Sequence, residues 1–187
     1  MRVLLNFNCS GIGRQEFETL GHDVWTCDLK PAEDGHRKHI LGDAIETAWH
    51  GGPWDLMIAH PPCNDLAVCG ARWFKEKLRA DPQCQKRALT LFAQTLMAPI
   101  PKKCVENPKS IASSYWPRTQ AIQPWQHGHG EVKETWLWLY GLPLLEPSEI
   151  VDGREPVVWK MAPGPDRATN RARNYPGILR AMAAQWG

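Results

Sequence analysis

Residues Trp54 to Arg72 read WDLMIAHPPCNDLAVCGAR. The apolar run Leu56-Met57-Ile58-Ala59 is bounded upstream by Gly51-Gly52-Pro53 and downstream by Pro61-Pro62. That is the pattern of a fully buried parallel strand ending in a functional loop. Cys63 then stands at the carboxyl end of the strand, where open α/β sheets bind ligands because the loops there vary without disturbing the core. The two prolines stiffen its approach, since each fixes its own φ and restricts the residue before it. A thiol so held suits a nucleophile, although a lone intracellular cysteine is more often a small buried hydrophobe.

Upstream, Arg2 to Asn8 (RVLLNFN) reads as a first strand, followed by Cys9-Ser10-Gly11-Ile12-Gly13 and a helix-like run to Leu20 that stops at Gly21. Strand, glycine-rich turn and helix bring backbone N–H groups and a helix amino terminus to the polar end of a ligand. The glycine pair alone also describes a simple tight turn. His22 to Asp28 (HDVWTCD) reads as a second strand ending in an acid, at the spacing of a ribose-binding carboxylate. Pro31 to Ile40 is a charged connection, and Gly42-Asp43 opens a helix over Ala44 to His50. Asp43 suits both an amino cap and an acceptor for an adenine amino group.

Downstream of Arg72 the chain turns charged. Asp81 to Pro99 then reads as a helix with Leu89, Phe92, Ala93 and Leu96 on one face and Asp81-Pro82 as its start signal. Lys103 to Val105 is a further short strand, followed by Glu106-Asn107-Pro108. A carboxylate and an amide at a strand end beside that of Cys63 converge on one pocket, which makes Glu106 the candidate acid. From Lys109 the pattern loosens, with a strand expected near Ala121 to Trp125, the apolar run Thr135 to Tyr140, and a long loop or small subdomain from Pro147 to Asn174. Pro176 to Trp186 reads as a closing helix with Ile178, Leu179, Met182 and Ala183 facing the sheet. Alternating strands and helices specify an α/β sandwich with a mostly parallel sheet.

The length of 187 residues fits one domain. Hydrophobic content of 43% and charge of 22% are ordinary for a globular protein. No apolar run is long enough to cross a bilayer and the amino terminus lacks the features of a signal peptide, so a cytoplasmic location is expected. The six cysteines follow no repeating spacing and are read as reduced thiols. His60, Cys63, Cys69 and Cys84 match no common metal site, and no metal is expected. A zinc deaminase is excluded because Leu66 stands where a CxxC needs its second cysteine and no HxE precedes it. The net charge of +2 does not itself announce a nucleic-acid partner. The tail from Arg154 to Arg180 nevertheless carries Arg154, Lys160, Arg167, Arg171, Arg173 and Arg180 against Glu155 and Asp166. Such a segment suits phosphate, or forms a solvated face. The ten tryptophans exceed the needs of packing, and some are expected on a surface where rings or bases stack.

Taken together, these residues resemble the DNA cytosine-5 methyltransferase family. Cys9 to Gly13 is similar to its first motif, Asp28 and Asp43 to its ribose and adenine acids, and Asp55-Leu56 through Pro61-Pro62-Cys63-Asn64-Asp65 to its proline-cysteine motif. Glu106-Asn107-Pro108 resembles the sixth motif and Asn174-Tyr175-Pro176 the last. HPPC, ENP, QPWQHGH, LWLYGLP and the final AAQWG resemble a compact, phage-type branch. The resemblance implies a Rossmann-like sandwich that uses S-adenosylmethionine, held by Phe7, Cys9, Ser10, Gly11, Gly13, Asp28, Asp43, Pro61 and Asn174. Cys63 is the implied nucleophile, with Glu106 and Asn107 completing the catalytic set. Pro62, Asn64, Arg72, Arg171 and Arg173 are assigned to the substrate, cytosine in DNA that is flipped from a duplex or already single-stranded.

Three departures accompany the match. Cys9 replaces the usual Phe, the QxRxR segment is not visible (Gln126, His127 and His129 being candidate substitutes), and residues 109–175 stand in place of a target-recognition domain. Short or relaxed sequence specificity is therefore expected of a single catalytic domain over residues 1–187, as a monomer or homodimer in a host cytoplasm. Cys63 is expected to have a lowered pKa and Glu106 a raised one. The same residues also allow action on a free cytosine nucleotide, a modified methyl donor, or a non-catalytic nucleic-acid-binding relative.

Overall fold

A computed structural model describes residues 1–165 and 167–187; Asp166, one of the two acids of the basic tail, lies outside the described residues. Its strands are β1 (Arg2–Asn6), β2 (Asp23–Asp28), β3 (His39–Leu41), β4 (Leu56–Ala59), β5 (Lys102–Pro108), β6 (Gln120–Ile122) and β7 (Thr135–Tyr140). They form a seven-stranded sheet in the order β3-β2-β1-β4-β5-β7-β6. The first five strands pair in parallel, and β7 runs antiparallel between β5 and β6. Strand order reverses between β1 and β4, which opens a crevice beyond the carboxyl ends of those two strands.

Alternation along β1 and β4 divides the core into two layers, because successive side chains in a strand point to opposite faces. Val3, Leu5, Leu56 and Ile58 pack with Phe17 of α1 (Arg14–Thr19) and with Ile178, Leu179, Met182 and Trp186 of α7 (Pro176–Trp186). Leu4, Met57 and Ala59 pack on the other face, with Ala44 and Ala48 of α2 (Ala44–His50) and Phe92 and Leu96 of α4 (Cys84–Met97). The result is the Rossmann-like α/β sandwich expected, with α2, β4 and α7 at the expected limits.

Several elements differ from expectation for local reasons. Residues Phe74–Ala80 form a helix, α3, that buries no residue, so its sequence FKEKLRA carries no apolar stripe to announce it. The short strand β3 lies within the charged connection and pairs only with β2 along the sheet edge. Helix α4 begins at Cys84 because the Asp81 carboxylate instead accepts the Gln83 N–H at 3.1 Å. Glu106, Asn107 and Pro108 lie inside β5, not beyond it, because β7 supplies ladder partners for all three. The stretch 109–175 contributes β6 and β7 to the sheet; beyond β7 its described residues hold two short helices, α5 (Val157–Lys160) and α6 (Arg167–Ala172). Among the described residues no helix is long and apolar enough to cross a membrane.

The turn after β1 is fixed by packing as much as by conformation. Gly13 has φ 92°, and a side chain there would run into Leu179 of α7. Gly13→Ala should therefore combine left-handed strain with overpacking, a loss of about 3 kcal/mol. Thermal unfolding should show Tm lower by roughly 10 °C; an unchanged Tm contradicts this packing.

Candidate active site

The crevice is built first from the end of β1. Phe7 leaves the strand at φ 56°, the only left-handed residue other than glycine among the described residues. Such a conformation persists only where the surroundings over-determine it. Next to it, Asn8 is buried, and its side-chain oxygen accepts the Gly11 N–H at 2.9 Å and the Ser10 hydroxyl at 3.1 Å. This clamp shapes the glycine turn. Asn8 was missed by sequence reasoning; an amide between a strand and a glycine turn was the available signal.

A charged segment folds onto the same turn. Arg14, buried at the start of α1, pairs with Asp34 and donates to the Thr26 hydroxyl at 3.1 Å. The Glu33 N–H donates to the Cys9 carbonyl at 2.8 Å, and the Glu33 carboxylate pairs with Arg173 at 3.1 Å. Asp28 ends β2 half-buried, with one carboxylate oxygen accepting the Lys30 N–H at 2.9 Å. Asp43 caps α2, its Oδ1 accepting the N–H groups of Ile45 and Glu46 at 2.7 and 3.0 Å. The cap uses Oδ1 alone.

The loop after β4 is braced from β5. Pro61 is buried, and the Asn107 side-chain N–H donates to its carbonyl at 2.9 Å. Pro62 and Asn64 are exposed, while Cys63 is half-buried and its carbonyl accepts the N–H groups of Leu66 and Ala67. Asn107 thus positions the loop that carries the thiol; its own side-chain oxygen, Oδ1, is buried without a partner among the described residues. Asn107→Ala should remove the brace and leave the Pro61 carbonyl unpaired, costing about 1–3 kcal/mol. Chemical denaturation should report that loss, and undiminished stability contradicts the brace.

Register brings the acid to the same place. Ala59 pairs with Val105, so the next residues, His60 and Glu106, stand side by side. His60 Nε2 lies 3.2 Å from Glu106 Oε2 and 3.1 Å from the Asn174 amide nitrogen, with both ring and carboxyl nearly enclosed. Lys133, in the loop before β7, lines the same small recess with Glu106, Thr135, Asn174 and Tyr175. Neither His60 nor Lys133 was singled out as a partner of Glu106, because a strand register and a loop return are not local in sequence.

The electrostatics reverse two expectations. Burial pushes the Cys63 thiol up, with Cys69 adding to it and the Lys133 charge only partly opposing. Burial also pushes the Glu106 carboxyl up, but the hydrogen bond and charge of His60, with Lys133, outweigh it and hold the carboxyl below its usual range. In the free protein Cys63 is therefore a thiol and Glu106 a carboxylate. Alkylation of Cys63 by iodoacetamide, measured against Cys63→Ala to separate the exposed Cys69, should keep accelerating above pH 9. A plateau below pH 8 contradicts that state.

The remaining assignments separate. Arg72 is exposed and stacks over Trp73 at 5.1 Å. Arg171 is half-buried on α6, and Arg173 is engaged with Glu33. Gln126, His127 and His129, the candidate substitutes for a basic motif, have other partners. Gln126 closes a turn with the Gln123 N–H, His127 is buried against Ser148, and His129 accepts the Gly177 N–H at 3.0 Å. Of the tryptophans, Trp54, Trp136, Trp138 and Trp186 are buried, whereas Trp159 is 80% exposed on α5.

No family model matches the chain, and no curated protein matches it. Among solved structures it is similar to a prophage-encoded protein of Escherichia coli described as a candidate DNA modification methyltransferase. The TM-score is 0.53 at 13% identity, over 87% of this chain and 55% of that one. It is also similar to the Dnmt2 methyltransferase of S. pombe, with a TM-score of 0.45 at 14% identity over 86% of this chain and 53% of the other. The chain thus spans about half the length of these structures. The first likeness shows a shared fold, a Rossmann-like α/β sandwich with a mostly parallel sheet.

Proposed function

We propose that this chain methylates carbon 5 of cytosine in DNA, using S-adenosylmethionine and a transient covalent bond from Cys63. One arrangement carries the reading: a thiol on a braced proline loop after β4 and an enclosed carboxyl within the adjacent β5, beside a glycine turn at the point of strand-order reversal.

The residues around that turn fit the cofactor. Gly11 and Gly13 adopt φ values of 70° and 92° that turn the backbone into a cradle, and Asp28 lies at the next strand end. Phe7, Cys9, Ser10, Asp43, Pro61 and Asn174 border the same crevice in this reading. When bound, S-adenosylmethionine supplies an electrophilic methyl group.

Carbon 5 of cytosine is a poor nucleophile until a thiolate adds at carbon 6, which divides one hard step into easier ones. Cys63 makes that addition once its proton has left. Glu106 supports ring nitrogen 3 as electron density moves onto it, and Asn107 holds the loop that aims the thiol. A base inside a duplex cannot reach an enclosed site, so it is flipped out or presented in a single strand. Pro62, Asn64 and Arg72 border its entry, and Arg171 and Arg173 are the nearby cations assigned to phosphate. In the same reading residues 1–187 act as one catalytic unit, in a host cytoplasm, with short or relaxed specificity.

The test is transfer of labelled methyl to double-stranded DNA, single-stranded DNA and deoxycytidine monophosphate. Label on carbon 5 of cytosine in DNA is expected. Label on the nucleotide alone replaces the substrate, and label on none contradicts the reading.

A further inference from the structure

Attack at carbon 6 requires a proton at nitrogen 3, yet Glu106, the residue placed to offer it, is held as a carboxylate in the free protein. The side chain that holds it so is His60, at the end of β4. Its backbone N–H donates to the Asn6 carbonyl of β1 at 3.1 Å, which continues the strand and fixes where the ring stands. The imidazole Nε2 is 3.2 Å from Glu106 Oε2, with 12% and 14% of the two side chains exposed. Solvent therefore has little access to the pair, and a proton leaving one partner is most readily taken by the other.

We propose that His60 is the positioning residue and proton partner of Glu106, and that the two together hold the one proton passed to ring nitrogen 3 of the target base. This rests on the methyl-transfer reading. The Cys63 thiol first loses its proton to solvent; as its sulfur bonds to carbon 6, the C5=C6 pair shifts to C4–C5 and the C4=N3 pair onto nitrogen 3. That nitrogen takes a proton from the Glu106 carboxyl, and His60 supplies the carboxyl with its proton through Nε2, whose N–H requires the Asn174 amide to be turned so that its oxygen, not its nitrogen, faces the ring. After methylation a base removes the hydrogen at carbon 5, Cys63 leaves, and the proton at nitrogen 3 returns to the pair. His60 Nδ1 is buried without a partner among the described residues. Other groups face the pair: Cys63 beyond Pro62, Cys104 on β5, Lys133 before β7, and Asn174 and Tyr175 before α7, the last donating to Glu131 at 2.6 Å. Of these, Lys133 brings a positive charge that favours the carboxylate.

The test compares methyl-transfer rates of the parent and His60→Gln across pH 5.5 to 8.5. Two coupled groups hold their shared proton to higher pH than a lone carboxyl does. The variant should fall roughly 10- to 100-fold behind the parent at pH 8 and close the gap toward acid pH, where Glu106, still buried but relieved of the His60 charge, takes a proton by itself. A ratio constant across pH, or no difference, overturns the proposal. A second readout needs no activity: the nuclear magnetic resonance titration of His60, identified among the seven histidines by its absence in His60→Gln. Glu106→Gln should lower its midpoint by about one unit or more, and an unmoved midpoint overturns the pairing. A parent that labels no substrate while the titration shifts removes the methyl-transfer reading and leaves the pair standing.

Discussion

Cys63→Ala is expected to remove methyl transfer, by roughly ten-thousandfold or more, while donor binding and folding persist. The size follows from losing a nucleophile for which no neighbour substitutes. The exposed Cys69 sits on a separate 3-10 turn, Val68–Trp73, and is not held by the Asn107 brace. Folding should survive because the half-buried thiol is not part of either core layer. Its replacement should change stability by less than about 1 kcal/mol. Single-turnover transfer of labelled methyl, with thermal unfolding beside it, separates the two effects. A residual rate within tenfold of the parent contradicts the role assigned to Cys63.

Glu106→Gln is the second large effect, expected to slow transfer by about a hundred- to ten-thousandfold. The amide keeps the shape and a hydrogen bond but has no proton to give. Donor affinity should stay near that of the parent, because the glycine turn and Asp28 belong to other strands. The substitution should also change how stability responds to acid. A carboxyl held low in the folded state contributes stability above its unfolded value, and that contribution disappears as pH falls through its folded value. Glu106→Gln lacks this contribution, so its stability should fall less steeply in that acid range. Urea unfolding at several pH values reads the slope directly, and parallel curves for parent and variant contradict a depressed carboxyl.

Much of the fold was legible because its elements announce themselves locally. Leu56 to Ala59 is an apolar run between proline and glycine punctuation, α2 opens on the Asp43 cap, and α7 presents an apolar face after Pro176. The elements that escaped have no such signal: β3 is a three-residue edge strand, and α3 buries nothing. Glu106 and Cys63 could be nominated from their strand ends, but the strand that carries Glu106 runs on through Pro108 because of a distant partner, β7. The same distance hid the chemistry between them. His60 reads as a residue before two prolines until register sets it against Glu106, and Lys133 reads as a loop lysine until the chain returns past β5. Both expected pKa directions were reversed on that account. The thiol meets burial more than cationic charge, and the carboxyl meets an imidazole within hydrogen-bonding distance.

The most direct measurement is capture of the covalent intermediate on a DNA strand carrying 5-fluorocytosine. After methyl transfer, fluorine at carbon 5 cannot be removed as a proton is, so the bond to the enzyme cannot be resolved. With S-adenosylmethionine present, a denaturation-resistant complex should form at a one-to-one ratio, with peptide mapping locating the link at Cys63. Cys63→Ala should yield none. A complex that survives Cys63→Ala, or methylated cytosine without any trapped complex, contradicts covalent catalysis by Cys63.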